Sequence, residues 1–206
     1  MNDRLAELGP SIKKKVLIES LRYIERFVGM RAVIKLGGAA MVDPKLERHF
    51  ADDVLLLQSV GLKPVVVHGG GPEISRAMRQ LDMKPRFVGG LRVTDPEAMD
   101  VVEMVLTGRV NQRLVAALNR EGDRAVGLSG KDGGLVRVRK HQGPQDLGRV
   151  GHVERIDVRR LELLEAQGYV PVISPVGLGP DGEGYNVNAD VVAAEIARAL
   201  GAQKLI

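Results

Sequence analysis

The 206 residues are enough for one sizeable domain and too few for two full ones. Cysteine is absent, which excludes disulfides and thiolate metal sites. A net charge of +4, interspersed over 30 basic and 26 acidic residues, leaves no basic stripe for nucleic acid and suits an enzyme of anionic metabolites. No apolar run approaches the roughly 20 residues of a membrane span, and the polar N-terminus has no signal-peptide core, so the sequence predicts a cytoplasmic protein with no membrane partner. Aromatic residues make up only 3% of the chain, so Val, Leu, Ile and Ala must build the core, as they do in buried parallel sheets.

Residues 1–29 read as an N-terminal helical extension. After Gly9-Pro10, the apolar positions Leu17, Leu21, Ile24 and Val28 recur at helical spacing, with Lys13, Lys14, Lys15, Arg22 and Arg26 around them. Such a helix either packs on its own domain or docks on a neighbouring subunit. Residues 31–36 form the first core strand. Asp43-Pro44 then has the grammar of an N-cap followed by proline in the first turn, and Leu46, Phe50, Val54 and Leu57 give the helix an apolar face that ends at Gly61. Residues 63–67 are a second strand, so strand–helix–strand implies a parallel crossover.

The next helix covers 72–81, and residues 87–93 read as a short hairpin around Gly89-Gly90. Thr94-Asp95-Pro96-Glu97 reads as a capping box with Thr94 at the N-cap, opening a helix through Met99, Val102 and Leu106. A second helix holds Val110, Leu114 and Leu118. Residues 125–128 are a core strand, 135–139 an alternating strand, 140–149 a loop, and 151–156 another strand. Leu161, Leu164 and Ala166 belong to a helix stopped by Gly168, and 170–173 is a core strand. Residues 177–184 are turn material. Residues 185–190 open a helix through Val192, Ile196 and Leu200 that Gly201 caps, and Lys204-Leu205-Ile206 starts one more strand.

The chemistry is concentrated where strands end in glycine. Val65-Val66-Val67-His68 runs into Gly69-Gly70-Gly71-Pro72, and Val33-Ile34-Lys35-Leu36 runs into Gly37-Gly38. Two bare backbone loops beside a helix start can hold one anion between them. Lys35, inside an apolar strand, is either a strand-end lysine reaching for water or a phosphate ligand. Arg92, in a glycine-flanked ribbon, suits a two-pronged clamp on a carboxylate. Asn186, Asn188 and Asp190 are spaced across a helix start, partly as caps and partly as a polar cluster aimed at the glycine loops. His49, His141 and His152 read as surface residues, and no spacing suggests a metal site.

Other schemes fail on particular residues. The His68-Gly69-Gly70-Gly71 string also occurs in the oxyanion hole of lipase-like hydrolases, but the required Gly-x-Ser-x-Gly elbow breaks at Lys131. Ile74 stands where a dinucleotide fingerprint needs its third glycine. Ala125 and Asp132 exclude a P-loop around Gly130-Lys131.

In order and spacing, the segments 35–38, 68–72, 90–94, 126–133 and 185–190 resemble the acetylglutamate kinases of the amino acid kinase family, over residues 31–206. The resemblance implies a three-layer αβα sandwich with a mainly parallel central sheet, plus β-hairpins and the N-terminal helix. It divides the chain into the extension at 1–29, an N-acetylglutamate-binding domain at 30–200, and the start of a truncated ATP-binding domain at 201–206. It implies phosphoryl transfer from ATP, with Mg²⁺ carried by the nucleotide, to the γ-carboxylate of N-acetyl-L-glutamate in arginine biosynthesis. Lys35 and Asp190 would be catalytic. Lys35, Gly37 and Gly38 would hold phosphate. Gly70, Gly71, Arg92 and Asn186 would bind the substrate. The implied assembly is a homodimer, extended to a hexamer through the N-terminal helix, with arginine as feedback inhibitor. Two alternatives stay open: an acetylaminoadipate-type kinase of lysine biosynthesis, and a non-catalytic substrate-binding half. Because the resemblance places most of the nucleotide site in a second half, the chain as written is expected to lack the full ATP site.

Overall fold

The computed structural model describes residues 9–38 and 43–206; residues 1–8 of the expected N-terminal extension lie outside them. The elements run α1 (Pro10–Ile24), β1 (Arg31–Leu36), α2 (Pro44–Ser59), β2 (Lys63–His68), α3 (Gly71–Gln80), β3 (Phe87–Val88), β4 (Leu91–Arg92) and α4 (Pro96–Glu103). A π-helical segment (Met104–Asn111), α5 (Gln112–Leu118), β5 (Ala125–Ser129), β6 (Val136–Lys140), β7 (Gly151–Ile156) and α6 (Arg159–Ala166) follow. The chain then continues through β8 (Val170–Ser174), β9 (Val176–Leu178), β10 (Gly184–Asn186), α7 (Ala189–Leu200) and β11 (Lys204–Leu205).

Five strands form one parallel sheet in the order β11-β1-β2-β8-β5. Its side chains alternate between two cores. Ile34, Leu36, Val66 and Val172 face a layer made by α2, α3, α4, the π segment and α5. Val33, Val65, Val67 and Ile173 face α6, α7 and a second sheet of order β10-β9-β6-β7. This is the three-layer arrangement the resemblance implied. Fully burying each Val or Ile contributes about 1.5–3 kcal/mol, so a sheet buried on both faces holds together without aromatic residues. The alternation also aims the polar residues. Lys35 shares the face of Val33 and points toward α7, whereas His68 shares the face of Val66 and points into the helical layer.

Several expectations are corrected. The two helices expected over 96–118 are one continuous run, with the π segment between α4 and α5 taking up the change of register. Thr94 is not the cap of α4: Asp95 holds that position, its carboxylate accepting from Ala98 N–H at 2.9 Å. The glycine-rich turn at 177–184 includes strand residues, because β9 and β10 pair antiparallel around it. Leu46 is exposed, and the buried positions of α2 are Glu47, Ala51 and Val54. The first helix stops at Ile24 rather than reaching Val28, and α1 has no buried residue.

Candidate active site

Parallel strands bring their carboxyl ends to one edge of the sheet, and crevices outside those ends are where α/β sheets bind ligands. β1 and β2 are in register along their length, with Leu36 beside His68, so their glycine loops emerge side by side. The loops touch. A β-carbon on Gly38 would lie 2.8 Å from Pro72 Cδ and 3.4 Å from the Gly71 nitrogen, and one on Gly69 would lie 3.4 Å from the Gly38 nitrogen. Only bare backbone fits at this junction. The Gly70 and Gly71 N–H groups donate to no backbone acceptor among the described residues. They sit at the cap and first position of α3, where helix geometry leaves donors free and the dipole is positive.

These loops floor a cleft of about 330 Å³. Lys35, Gly38, Gly70, Gly71, Arg92, Asn186 and Asp190 all line it, so all but one of the residues singled out in the sequence converge there. Gly37 does not line the cleft; a β-carbon on it would sit 3.9 Å from Lys35 Nζ. Lys35 donates to Asp190 Oδ1 at 2.8 Å, the aspartate standing 70% exposed in the first turn of α7. Asn188 is the N-cap of α7, its Oδ1 accepting from the N–H groups of Asp190 and Val191. All three residues of the Asn-x-Asn-x-Asp pattern therefore line the cleft, and Asn188 also caps the helix.

Arg92 is the most unusual charge in the site. It is only 6% exposed. Its guanidinium donates to Gly71 O at 3.0 Å, Ser75 Oγ at 2.7 Å and Met78 Sδ at 3.3 Å, and lies 4.6 Å from the centre of the Phe87 ring. All of these partners are neutral, and no carboxylate among the described residues pairs with it. Burial first, and Arg79 second, hold its pKa below the usual arginine value. A buried cation without a counter-ion is costly, and a ligand carboxylate in the cleft would supply one.

Thr94, which the sequence pattern assigned to a cap, is fully buried behind the cleft. Its hydroxyl donates to Arg92 O at 2.8 Å and accepts from Asn186 Nδ2 at 3.2 Å. Its backbone pairs with the 147–149 loop, through Thr94 N–H to Leu147 O and Arg149 N–H to Thr94 O. Gly148, at φ +73°, permits this approach, because a β-carbon there would overlap Thr94 O. Asn111 was also missed in the sequence. It is a polar residue among Val110, Leu114 and Leu118 on an otherwise apolar face, and that exception was the available signal. The Ser129-Gly130-Lys131 turn stays outside the cleft, with Lys131 Nζ paired to Glu103 Oε1 at 2.7 Å in a neighbouring polar recess.

Comparison with known proteins agrees with this geometry. The chain is 56% identical over 199 residues to an acetylglutamate kinase of Synechococcus, an alignment covering 97% of this chain and 70% of the relative. It is 51% identical over 206 residues to one of Oleidesulfovibrio alaskensis, covering 95% and 70%. Among solved structures, the Streptococcus mutans protein smu.665 superposes with a TM-score of 0.78 at 30% identity, over 85% of this chain and 70% of that one. A Neisseria gonorrhoeae N-acetylglutamate synthase, solved with coenzyme A and N-acetyl-glutamate, superposes with a TM-score of 0.79. At 24% identity, over 92% of this chain and 43% of that one, it speaks for the fold alone. The model of the amino acid kinase family matches residues 30–206, and the chain belongs to that family.

Proposed function

We propose that this chain is the substrate-binding part of an acetylglutamate kinase, transferring the γ-phosphoryl group of ATP, with Mg²⁺ carried by the nucleotide, to the γ-carboxylate of N-acetyl-L-glutamate. The observation that carries the reading is the buried Arg92 guanidinium, held among the described residues by neutral groups, facing the same cleft as Lys35 and the Gly70 and Gly71 loop. That is one binding point for a carboxylate and a second for a phosphoryl group, as a dicarboxylate acceptor needs. The names of the relatives at 47–56% identity support the same substrate.

In this reading Arg92 clamps the α-carboxylate and Asn186 contacts the substrate. The γ-carboxylate is ionised at pH 7, so no general base is required. One of its oxygens attacks the γ-phosphorus, the bond from that phosphorus to the β,γ-bridging oxygen breaks, and ADP leaves with the electron pair. Catalysis is then positioning and charge neutralisation. Lys35 neutralises the phosphoryl oxygens in flight, Asp190 orients Lys35, Gly37 and Gly38 approach the phosphates, and Gly70 and Gly71 donate their N–H groups. A cytoplasmic setting, a homodimer, a hexamer assembled through α1, and inhibition by arginine belong to the same reading. The exposed Leu17 and Leu21 on α1 favour a contact between subunits.

The test is calorimetric titration with N-acetyl-L-glutamate and with the acetylaminoadipate analogue, followed by hydroxylamine trapping of the acyl phosphate formed with ATP and Mg²⁺ in a version that also carries the nucleotide half the resemblance implies. Tighter binding of N-acetyl-L-glutamate and a trapped hydroxamate support the proposal. Preference for the longer substrate would move the assignment to lysine biosynthesis, and binding without phosphorylation would leave a non-catalytic binding module.

A further inference from the structure

We propose that His68 is a positioning residue: by holding the Gly69 carbonyl inside the fold, it turns the Gly69–Gly70 peptide so that the Gly70 N–H faces the cleft. What that N–H binds rests on the function proposed above; the orientation itself rests on geometry.

His68 is fully buried on the helical side of the sheet. Its Nδ1 lies 2.9 Å from Gly69 O and its Nε2 lies 3.1 Å from Asn111 Nδ2. The same Asn111 nitrogen lies 2.9 Å from Val172 O. These partners assign every proton. Val172 O can only accept, so the Asn111 atom beside it is the amide nitrogen. That nitrogen gives its second proton to Nε2, which must therefore be bare, and Nδ1 carries the ring proton and donates it to Gly69 O. The ring is neutral, because burial pushes its pKa down to about 4.

The consequence for the cleft follows from the planar trans peptide. The C=O of one residue and the N–H of the next point in opposite directions, and there are no cis bonds among the described residues. With the Gly69 carbonyl held inward by His68, the Gly70 N–H is turned outward. Rotated the other way, the same peptide would offer a carbonyl oxygen to the anion and repel it. The π segment supplies the support. Leu106 and Val110 pack under Gly70, a β-carbon there lying 2.6 Å from Leu106 Cδ2, and the next residue is Asn111. Gly127 is bare because a β-carbon on it would overlap Asn111 Oδ1. A π segment commonly marks a functional site, and here it carries the residue that sets the histidine tautomer.

The experiment compares His68→Asn with His68→Gln in ¹⁵N-labelled protein. The asparagine amide nitrogen is as many bonds from Cα as imidazole Nδ1 and can still donate to Gly69 O; the glutamine amide reaches the Nε2 position and cannot. The expected result is that H68N binds N-acetyl-L-glutamate within about threefold of the parent and keeps the ligand-induced shift of the Gly70 amide. H68Q, folded by circular dichroism, binds at least about tenfold more weakly, the loss of one charge-assisted hydrogen bond, and loses that shift. Equal behaviour of the two folded variants overturns the proposal, since simple packing does not distinguish them by donor position. If either variant fails to fold, or if the parent does not bind N-acetyl-L-glutamate and the functional reading falls, the imidazole ¹⁵N spectrum of the parent decides. A proton on Nδ1 at pH 7 supports the arrangement; a proton on Nε2 overturns it.

Discussion

Replacing Arg92 with methionine should separate folding from binding. The substitution keeps an unbranched apolar stem beside Phe87 and Met78 and removes the buried charge. In the free protein that charge meets, among the described residues, Gly71 O, Ser75 Oγ, Met78 Sδ and an aromatic face. Desolvating a cation costs several kcal/mol, and replacing a buried charge by an apolar residue of similar volume is often neutral or stabilising. Gly71 lines the open cleft and Ser75 is half-buried, so water can replace the lost donor. Stability should therefore change by no more than about 1 kcal/mol. Binding should change far more. Removing one member of a desolvated, hydrogen-bonded charge pair costs about 2–5 kcal/mol, or about 30- to 5,000-fold in affinity. Urea unfolding with and without N-acetyl-L-glutamate measures both quantities. At about a hundred times Kd the ligand should stabilise the parent protein by about 2.7 kcal/mol, and at the same concentration R92M should be stabilised by no more than about 0.9 kcal/mol. A loss of more than about 3 kcal/mol in the unliganded variant would make Arg92 a structural pillar and refute the reasoning, as would unchanged ligand stabilisation.

In a version that carries the nucleotide half, Lys35→Ala should lower kcat about 10²- to 10³-fold while the KM for N-acetyl-L-glutamate moves little, because in the proposed function the lysine acts on charge that develops in the transition state; steady-state kinetics read the split. Gly127→Ala should destabilise the fold by about 1–3 kcal/mol by overpacking against Asn111. Asn111→Ala should relieve part of that strain, so a double-mutant cycle should give clear positive coupling. His68 should make stability pH-dependent. Its pKa falls from 6.5 in the unfolded chain to about 4 in the fold, so between those values the unfolded chain binds a proton the folded one rejects. The stability this costs grows as pH falls through that window and levels at about 3 kcal/mol. The difference between parent and H68N in urea midpoints at pH 7 and pH 4 isolates it.

The parallel sheet was legible in the sequence because runs such as Val65-Val66-Val67 are apolar at every position, which only a strand covered on both faces requires. The glycine loops were legible because nothing else fits where backbones touch. Arg92, Asn186 and Asp190 were legible mainly through resemblance, since an isolated arginine or asparagine has no pattern of its own. Thr94 misled because hydroxyl-x-x-carboxylate is local grammar for a cap, while the partner that claims its hydroxyl, Asn186, is 92 residues away. The π segment left no mark, because it is a register adjustment imposed by packing against Gly70 and β5 rather than a preference of its residues. Strands β9 and β10 were hidden by the glycines around their turn.

The Thr94 hydroxyl has a consequence for substrate length. One oxygen joins Arg92, the proposed carboxylate clamp, to a second cleft residue on a different sheet, Asn186, and the loop at 147–149 braces the junction. The two residues form one unit, and Arg92 also meets the glycine floor directly, through Gly71 O at 3.0 Å. In the proposed function, the distance from this unit to Lys35 sets how many methylene groups separate the gripped carboxylate from the reacting one, and a change in preferred chain length should arise by reshaping the Thr94 junction while Arg92 and Lys35 keep their identities.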